Sequence, residues 1–322
     1  MTEFTADVGS RMKEIVQAWF SAEPLSRYTL QFIDDKLNEK MMFGELTRIH
    51  YRMFGGQAAD IEGAAAAIEL LILASDILDD LEDGDAPSKP WMNIPRALSI
   101  HIATSMMTLS QQALLESTAD PAIRGELASM MNRQLLISSN GQMLDLMNDI
   151  ADEEAYMAMI EQKSASLLVL ACMAGVMLAG QPWHPKVEEY AKELGIAAQA
   201  RNDARDLLRW DDKSDFLNRK RTLLTLFLLE GPDEQSGWIK DYYAGRSVLT
   251  DVEGQKALFL QTCEQSGANL YGAVISRMHY NRFAELFAEL EADEGWKSKL
   301  LELLSGQFGE KEEPQTTQSS FR

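Results

Sequence analysis

Apolar residues recur along most of the chain at helical spacing, and nowhere do they alternate with polar ones at the period of two that a half-buried strand requires. Residues 61–81 and 163–178 are apolar around most of the helix circumference, the pattern of central helices packed on several sides. Residues 196–210 and 283–290 are more one-sided. Nine prolines leave 25–86, 122–181 and 233–313 free of any, and the fill of those blocks is rich in Ala, Leu, Met, Glu and Gln. Proline inside a helix costs ~3 kcal/mol, so proline-free blocks with clustered breakers between them predict long helices joined by short loops. The loops fall at 84–95 and 180–185. The pattern predicts an all-α, single-domain helical bundle over residues 1–308, followed by a polar, disordered tail at 309–322.

Composition narrows what such a bundle binds. Fifty acidic residues stand against 30 basic ones, a formal charge of −20. Such a surface repels a nucleic-acid backbone or an anionic leaflet, so any phosphate-bearing ligand has to be small and locally compensated. Cys172 and Cys263 stand far apart without a CxxC spacing, which indicates neither a disulfide framework nor a zinc site. The N-terminal stretch lacks the features of a signal peptide, and the longest apolar run, 167–179, falls short of the ~20 residues of a spanning helix. The expectation is a soluble protein of the reducing cytoplasm, without a transmembrane segment.

Two charge clusters break the general pattern. Asp76, Asp79, Asp80, Glu82, Asp83 and Asp85 place six acids in ten residues directly after an apolar helical run. Asp76, Asp79, Asp80 and Asp83 fall within an arc of about 100° on a helix, while Glu82 points elsewhere. Like charges at these spacings repel, and at a helix C-terminus they also oppose the macrodipole. The cluster is either a solvated acidic helix end or a site for a hard cation such as Mg²⁺, which takes one or two carboxylates and fills its other positions with water and phosphate. Residues 201–221 hold seven basic residues against five acids, a local charge of +2. Gln199, Asn202, Asp203 and Asp206 share one helical arc, and Arg201, Arg205 and Arg209 follow along an adjoining face. This is either a salt-bridged surface helix or a second set of oxygen ligands beside cations for phosphate.

Together the two aspartate faces, about 120 residues apart, resemble the trans-prenyl diphosphate synthase superfamily. Its first motif, DDxxD, matches Asp79-Asp80-Leu81-Glu82-Asp83, and its second resembles Gln199 to Asp206, with Asn202 in place of the usual leading Asp. The stretch from Asp212 through Lys213 and Lys220 to Leu223 resembles the lysine-bearing loop of that family. Gly141-Gln142-Met-Leu-Asp145 and Lys163-Ser164-Ala165 match two further signatures. The resemblance implies an all-α bundle, Mg²⁺ held by Asp79, Asp80, Asp83, Asn202, Asp203 and Asp206, and a diphosphate met by Lys163, Lys213, Lys220 and Gln142. It also implies a prenyl pocket beside Ala74 and Ser75, where short-chain synthases often carry an aromatic floor; small residues there equally suit tight helix packing.

The departures are informative. Chain-elongating synthases hold isopentenyl diphosphate with a Gly-Gly-Lys-x-x-Arg motif; this chain has Gly55-Gly56-Gln57 without either cation, and Phe43 stands where an Arg is expected after Lys40. One lysine, Lys89, replaces the Arg-Arg pair expected after the first motif. A buried diphosphate without cations would cost several kcal/mol, so the acceptor is expected to be neutral. This pattern, with the Trp91-Met92 pair, resembles the ComQ-type pheromone-modifying isoprenyltransferases of Gram-positive quorum sensing. That resemblance implies transfer of a geranyl or farnesyl group from its allylic diphosphate to a tryptophan of a small, ComX-type precursor peptide, in a homodimer. A chain-elongating farnesyl or geranylgeranyl diphosphate synthase, a terpene cyclase and a non-catalytic subunit are the rival readings. A cyclase requires Ser or Thr at 206 and Glu at 210, whereas this chain has Asp206 and Trp210. A non-catalytic subunit normally loses the aspartate motifs, and both are present. Met41, Met42, Met106, Met107, Met143 and Met147 are core filler or the lining of an adaptable tunnel.

Overall fold

The computed structural model describes residues 3–57, 61–84, 86–211 and 214–308, and every regular element among them is helical. The first half comprises α1 (Glu3–Trp19), α2 (Glu23–Lys36), α3 (Met42–Met53), α4 (Glu62–Asp83), α5 (Arg96–Glu116) and α6 (Pro121–Met147). Then come α7 (Glu153–Ile160), a π-helical turn (Glu161–Ala165), α8 (Ser166–Leu178) and α9 (Pro185–Leu207). The chain ends with α10 (Leu223–Glu230), α11 (Asp233–Tyr243), α12 (Leu249–Val252), α13 (Lys256–Ser266), α14 (Ala268–Ala288) and α15 (Glu294–Phe308). The expected tail lies outside the described residues, as do Asp85 and Lys213.

The two segments apolar all round are the central helices. Along α4, Ala64–Ala67, Ile68 and Leu70–Ala74 are all buried, and along α8 so are Val169–Met177. The π turn joins α7 to α8 without a break, so the helical stretch from Glu153 to Leu178 is longer than the apolar run suggests. By length and composition it could cross a membrane, yet 67% of its most apolar window is buried inside the bundle, as a core helix requires.

Local signals set the ends of the site-bearing helices. The Asp120 and Asp152 side chains accept from Ala122 N–H (2.8 Å) and Ala155 N–H (2.9 Å), capping α6 and α7. Gly84 ends α4 in the left-handed conformation, φ 71°, so the chain turns away immediately after the aspartates. The α9 helix stops at Leu207, which corrects the expected row of arginines: Arg209 lies past its end and turns onto Asp211 at 2.8 Å.

Candidate active site

The C-terminal end of α4, the last turns of α6, the π turn and the C-terminal end of α9 surround a cavity of about 840 Å³. Its mouth is polar, with Asp79, Gln142, Lys163 and Asp206, and its interior is apolar, with Ile72, Met107, Leu135 and Leu168. From Asp79 to Ile72 the cavity follows two turns of α4, about 10 Å.

Two close approaches aim Lys163 at this mouth. The π turn is one residue wider than an α turn, a device common at functional sites. It fits because Gly141 of α6 and Gly195 of α9 lie against it: a Cβ at 141 would sit 2.2 Å from Lys163 N, and one at 195 would sit 2.6 Å from Ala165 Cα. Ser138 Oγ donates to the Lys163 carbonyl at 2.9 Å. The Lys163 ammonium then meets Asp145 at 2.5 Å and Asp79 at 3.0 Å. Burial alone would depress it, but Asp79 and Asp145 outweigh that effect and hold it charged. Burial likewise raises Asp79, but Lys163, Gln142 and Lys220 hold it below its ordinary value. The Gln142 amide donates to Asp79 at 2.9 Å and to Glu82 at 2.8 Å. Glu82, expected to point elsewhere, therefore belongs to the mouth, one helical turn beyond Asp79.

Ligand oxygens of Asp79, Asp83 and Asp145 all lie within 4.8 Å of one another. Lys220, from the loop after α9, pairs with Asp83. Three converging carboxylates, brought together by Lys163, Lys220 and the Gln142 amide, fit a divalent cation. Asp80 faces away from this group and accepts from the Trp91 indole N–H at 2.9 Å. Asp76 lines the cavity but is committed to buried Lys36 at 2.9 Å.

Across the cavity, Asn202, Asp203 and Asp206 come from the last turns of α9. Asp203 is buried and fully engaged, accepting from Tyr156 O–H at 2.6 Å and the Gln199 amide at 2.9 Å. Burial raises its carboxyl to about 6, against the lowering effect of those two bonds. Asp206 accepts both guanidinium bonds of Arg205 at 3.0 Å, and Asn202 lines the cavity unburied. Asp215 lines the same wall, raised to about 8 by burial and by Asp203, Asp206 and Asp145 nearby. Arg201 lies outside the lining, over the Phe308 ring at 5.7 Å.

Of the expected pocket residues, Ser75 lines the cavity and Ala74 is wholly buried in the core. Met42, Met107 and Met143 line it as well, whereas Met41 and Met106 are core and Met147 is exposed. Asp145 and Tyr156 are the main gains over the sequence reading. Asp145 was visible in the Gly141–Asp145 signature, but its convergence on Asp79 and Asp83 was not; Tyr156 carried no signal.

A helical bundle that places paired acidic helix ends and lysines at a cavity partly lined by apolar side chains suits an enzyme that binds a diphosphate with an apolar tail together with a divalent metal. Residues 36–258 match the family described as Polyprenyl synthetase, and the chain belongs to that family. It is a prenyltransferase. Over 302 residues it is 34% identical to the tryptophan prenyltransferase ComQ of Bacillus subtilis subsp. natto (strain BEST195), covering 93% of this chain and 92% of that protein. It is 31% identical to the ComQ of Bacillus subtilis (strain 168), covering 91% and 96%. Its fold matches a crystal structure of a geranylgeranyl pyrophosphate synthase with a TM-score of 0.82 at 19% identity, over 96% of this chain and 99% of that one.

Proposed function

We propose that the protein transfers a geranyl or farnesyl group from its diphosphate to a tryptophan of a small, ComX-type pheromone precursor peptide, with Mg²⁺ as the metal. The observation that carries the neutral acceptor is the state of the cations beside the first aspartate motif. Lys36 is committed to Asp76 (2.9 Å) and Glu39 (3.1 Å), and Lys89 to Glu39 (2.8 Å) and Asp35 (2.9 Å). The start of α3, whose free N–H groups would suit an anion, is already occupied by the buried Glu69 carboxyl group, which accepts from Gly44 N–H at 2.6 Å. A second diphosphate would meet carboxylates there, two lysines already neutralised and a single further cation, Lys40, just before α3. A neutral indole suits that surface.

In this reading Asp79, Asp83 and Asp145 hold metal on one side of the mouth, and Asn202 and Asp206 on the other. Bound Mg²⁺ supplies Lewis-acid stabilisation of the leaving diphosphate. Lys163 and Lys220 add fixed positive charge where negative charge develops as the C–O bond breaks, and Gln142 keeps Asp79 oriented. Asp203, held by Tyr156 and Gln199, anchors the end of α9 against α7. The allylic cation lies over the apolar cavity, which excludes water from it. Carbon 3 of the indole, which carries no hydrogen, bonds to the allylic carbon as the C–O bond breaks, and the N1–H proton of the resulting iminium passes to the departing diphosphate, leaving a 3H-indole.

The test combines the protein with a Trp-containing peptide, geranyl or farnesyl diphosphate and Mg²⁺, followed by mass measurement of the peptide. A gain of one prenyl group is expected. Efficient elongation with isopentenyl diphosphate and an unmodified peptide would instead place the chain among the synthases. The resemblance to the ComQ-type enzymes supports a homodimer and the two free cysteines support a cytoplasmic location, which light scattering and cell fractionation test.

A further inference from the structure

Asn148 directly follows α6, the helix that carries Gln142 and Asp145. It takes the left-handed conformation, φ 50°, and its side chain reaches the lysine loop more than 70 residues on. There Nδ2 donates to the Arg219 carbonyl at 2.9 Å and Oδ1 accepts from Arg221 N–H at 2.8 Å. Those two groups lie on either side of Lys220. The Lys220 backbone is also held: its N–H donates to the Asp215 carbonyl at 2.8 Å, and its carbonyl accepts from Thr225 Oγ1 at 2.7 Å and Tyr243 O–H at 3.0 Å.

The clasp fixes an unfavourable backbone. Among the described residues only Asn148 and Arg219 are non-glycine residues with positive φ, and they meet across this hydrogen bond. Asparagine tolerates that region and arginine does so at a cost, so the Arg219 conformation needs support from its surroundings. Its guanidinium lies 4.2 Å from the centre of the Tyr242 ring and donates to the Ser247 carbonyl at 2.8 Å, while Arg221 donates to the Ile150 carbonyl at 2.9 Å. The turn so formed sends the Lys220 side chain across to Asp83, 137 residues away in sequence.

We propose that Asn148 is a positioning residue: its carboxamide clasps the backbone on both sides of Lys220 and holds that ammonium beside the first aspartate motif, in register with Asp145. This rests on the reading that the cavity mouth binds a diphosphate. One amide thereby couples the last turn of α6 to the lysine loop, and losing it frees Lys220 without removing any group that touches the ligand.

The experiment measures binding of inorganic diphosphate with Mg²⁺ to the full chain by calorimetry, for the wild type, Asn148→Gly, Asn148→Asp, Lys220→Ala and Asn148→Gly/Lys220→Ala. Glycine keeps the left-handed backbone without strain, so only the clasp is lost. Asn148→Gly should weaken binding on the order of tenfold, the scale of one charge-assisted contact, and should change it less than twofold in the Lys220→Ala background. Asn148→Asp keeps the acceptor but sets a second oxygen against the Arg219 carbonyl in place of the donor; it should lose at least as much as glycine, and it stands in if the glycine variant does not fold. Wild-type affinity in both Asn148 variants, or equal loss with and without Lys220, overturns the proposal while leaving the diphosphate reading intact. No binding by the wild type overturns both.

Discussion

Replacing Gly141 by alanine tests whether close helix approach is what aims Lys163. The added Cβ would lie 2.2 Å from Lys163 N, 2.7 Å from Lys163 Cα and 2.8 Å from the Gln162 carbonyl carbon, all backbone atoms that cannot rotate aside. Reaching an ordinary contact of 3.4 Å requires α6 and the π turn to part by 3.4 − 2.2 = 1.2 Å. Lys163 would then move relative to Asp145, which is on α6 and 2.5 Å from it, and relative to Asp79 at 3.0 Å. Overpacking of this kind costs about 1–3 kcal/mol, and a misplacement of about 1 Å costs roughly 100-fold in rate. The assay is steady-state prenyl transfer, with kcat and KM for the prenyl diphosphate, alongside thermal unfolding. Gly125→Ala is the control, because it lies on the same helix with open space around it and should be neutral or slightly stabilising. Unchanged kcat/KM in Gly141→Ala would refute the argument. A lowered Tm with full activity in the folded fraction would show that the glycine serves packing alone.

Asp145→Ala should reduce kcat/KM about as strongly as Asp79→Ala, by 100-fold or more on the scale of about 3 kcal/mol for a lost charge stabiliser, and both should raise the Mg²⁺ needed for half activity. Asp80→Asn, which retains an acceptor for Trp91, should lose far less; equal losses at 80 and 145 would contradict the geometry. Ser75→Phe should exclude a farnesyl donor while the fold persists, whereas Ala74→Phe should destabilise the core by about 1–3 kcal/mol, a contrast read from donor competition and chemical unfolding. Glu69 is raised from 4.5 to about 7 by burial, so the fold favours its protonated form; that contribution is complete below pH 4.5 and is lost as pH rises to 7, by about 3 kcal/mol. Glu69→Gln should therefore gain stability relative to wild type over that range, and a pH-independent difference in urea unfolding would reject the assignment. His50 is lowered from 6.5 to about 4 by burial, so its contribution runs the opposite way, complete above pH 6.5 and lost as pH falls to 4. It is measured by comparing His50→Gln unfolding at pH 7 and pH 5.

The helical class, the two fully wrapped central helices and the two aspartate faces were legible in the chain itself. They depend on the spacing of neighbours along one helix, and α4 and α8 carry out what their circumference predicts. The missing second pair of cations was legible for the same reason. What one helix cannot reveal is which of its carboxylates find partners elsewhere. Asp76, Asp79, Asp80 and Asp83 share one arc, yet Lys36 takes the first, Trp91 the third, and only Asp79 and Asp83 converge with Asp145 from α6. Likewise nothing in the sequence marks Asn148, Tyr156 or the role of Gly141, because each acts on a backbone or side chain that only the fold brings near. Periodicity and charge are properties of adjacent residues, so the chain alone determined an all-α bundle with acidic helix ends. Metal geometry and the aim of a lysine depend on contacts between distant helices, and those the tertiary structure decided.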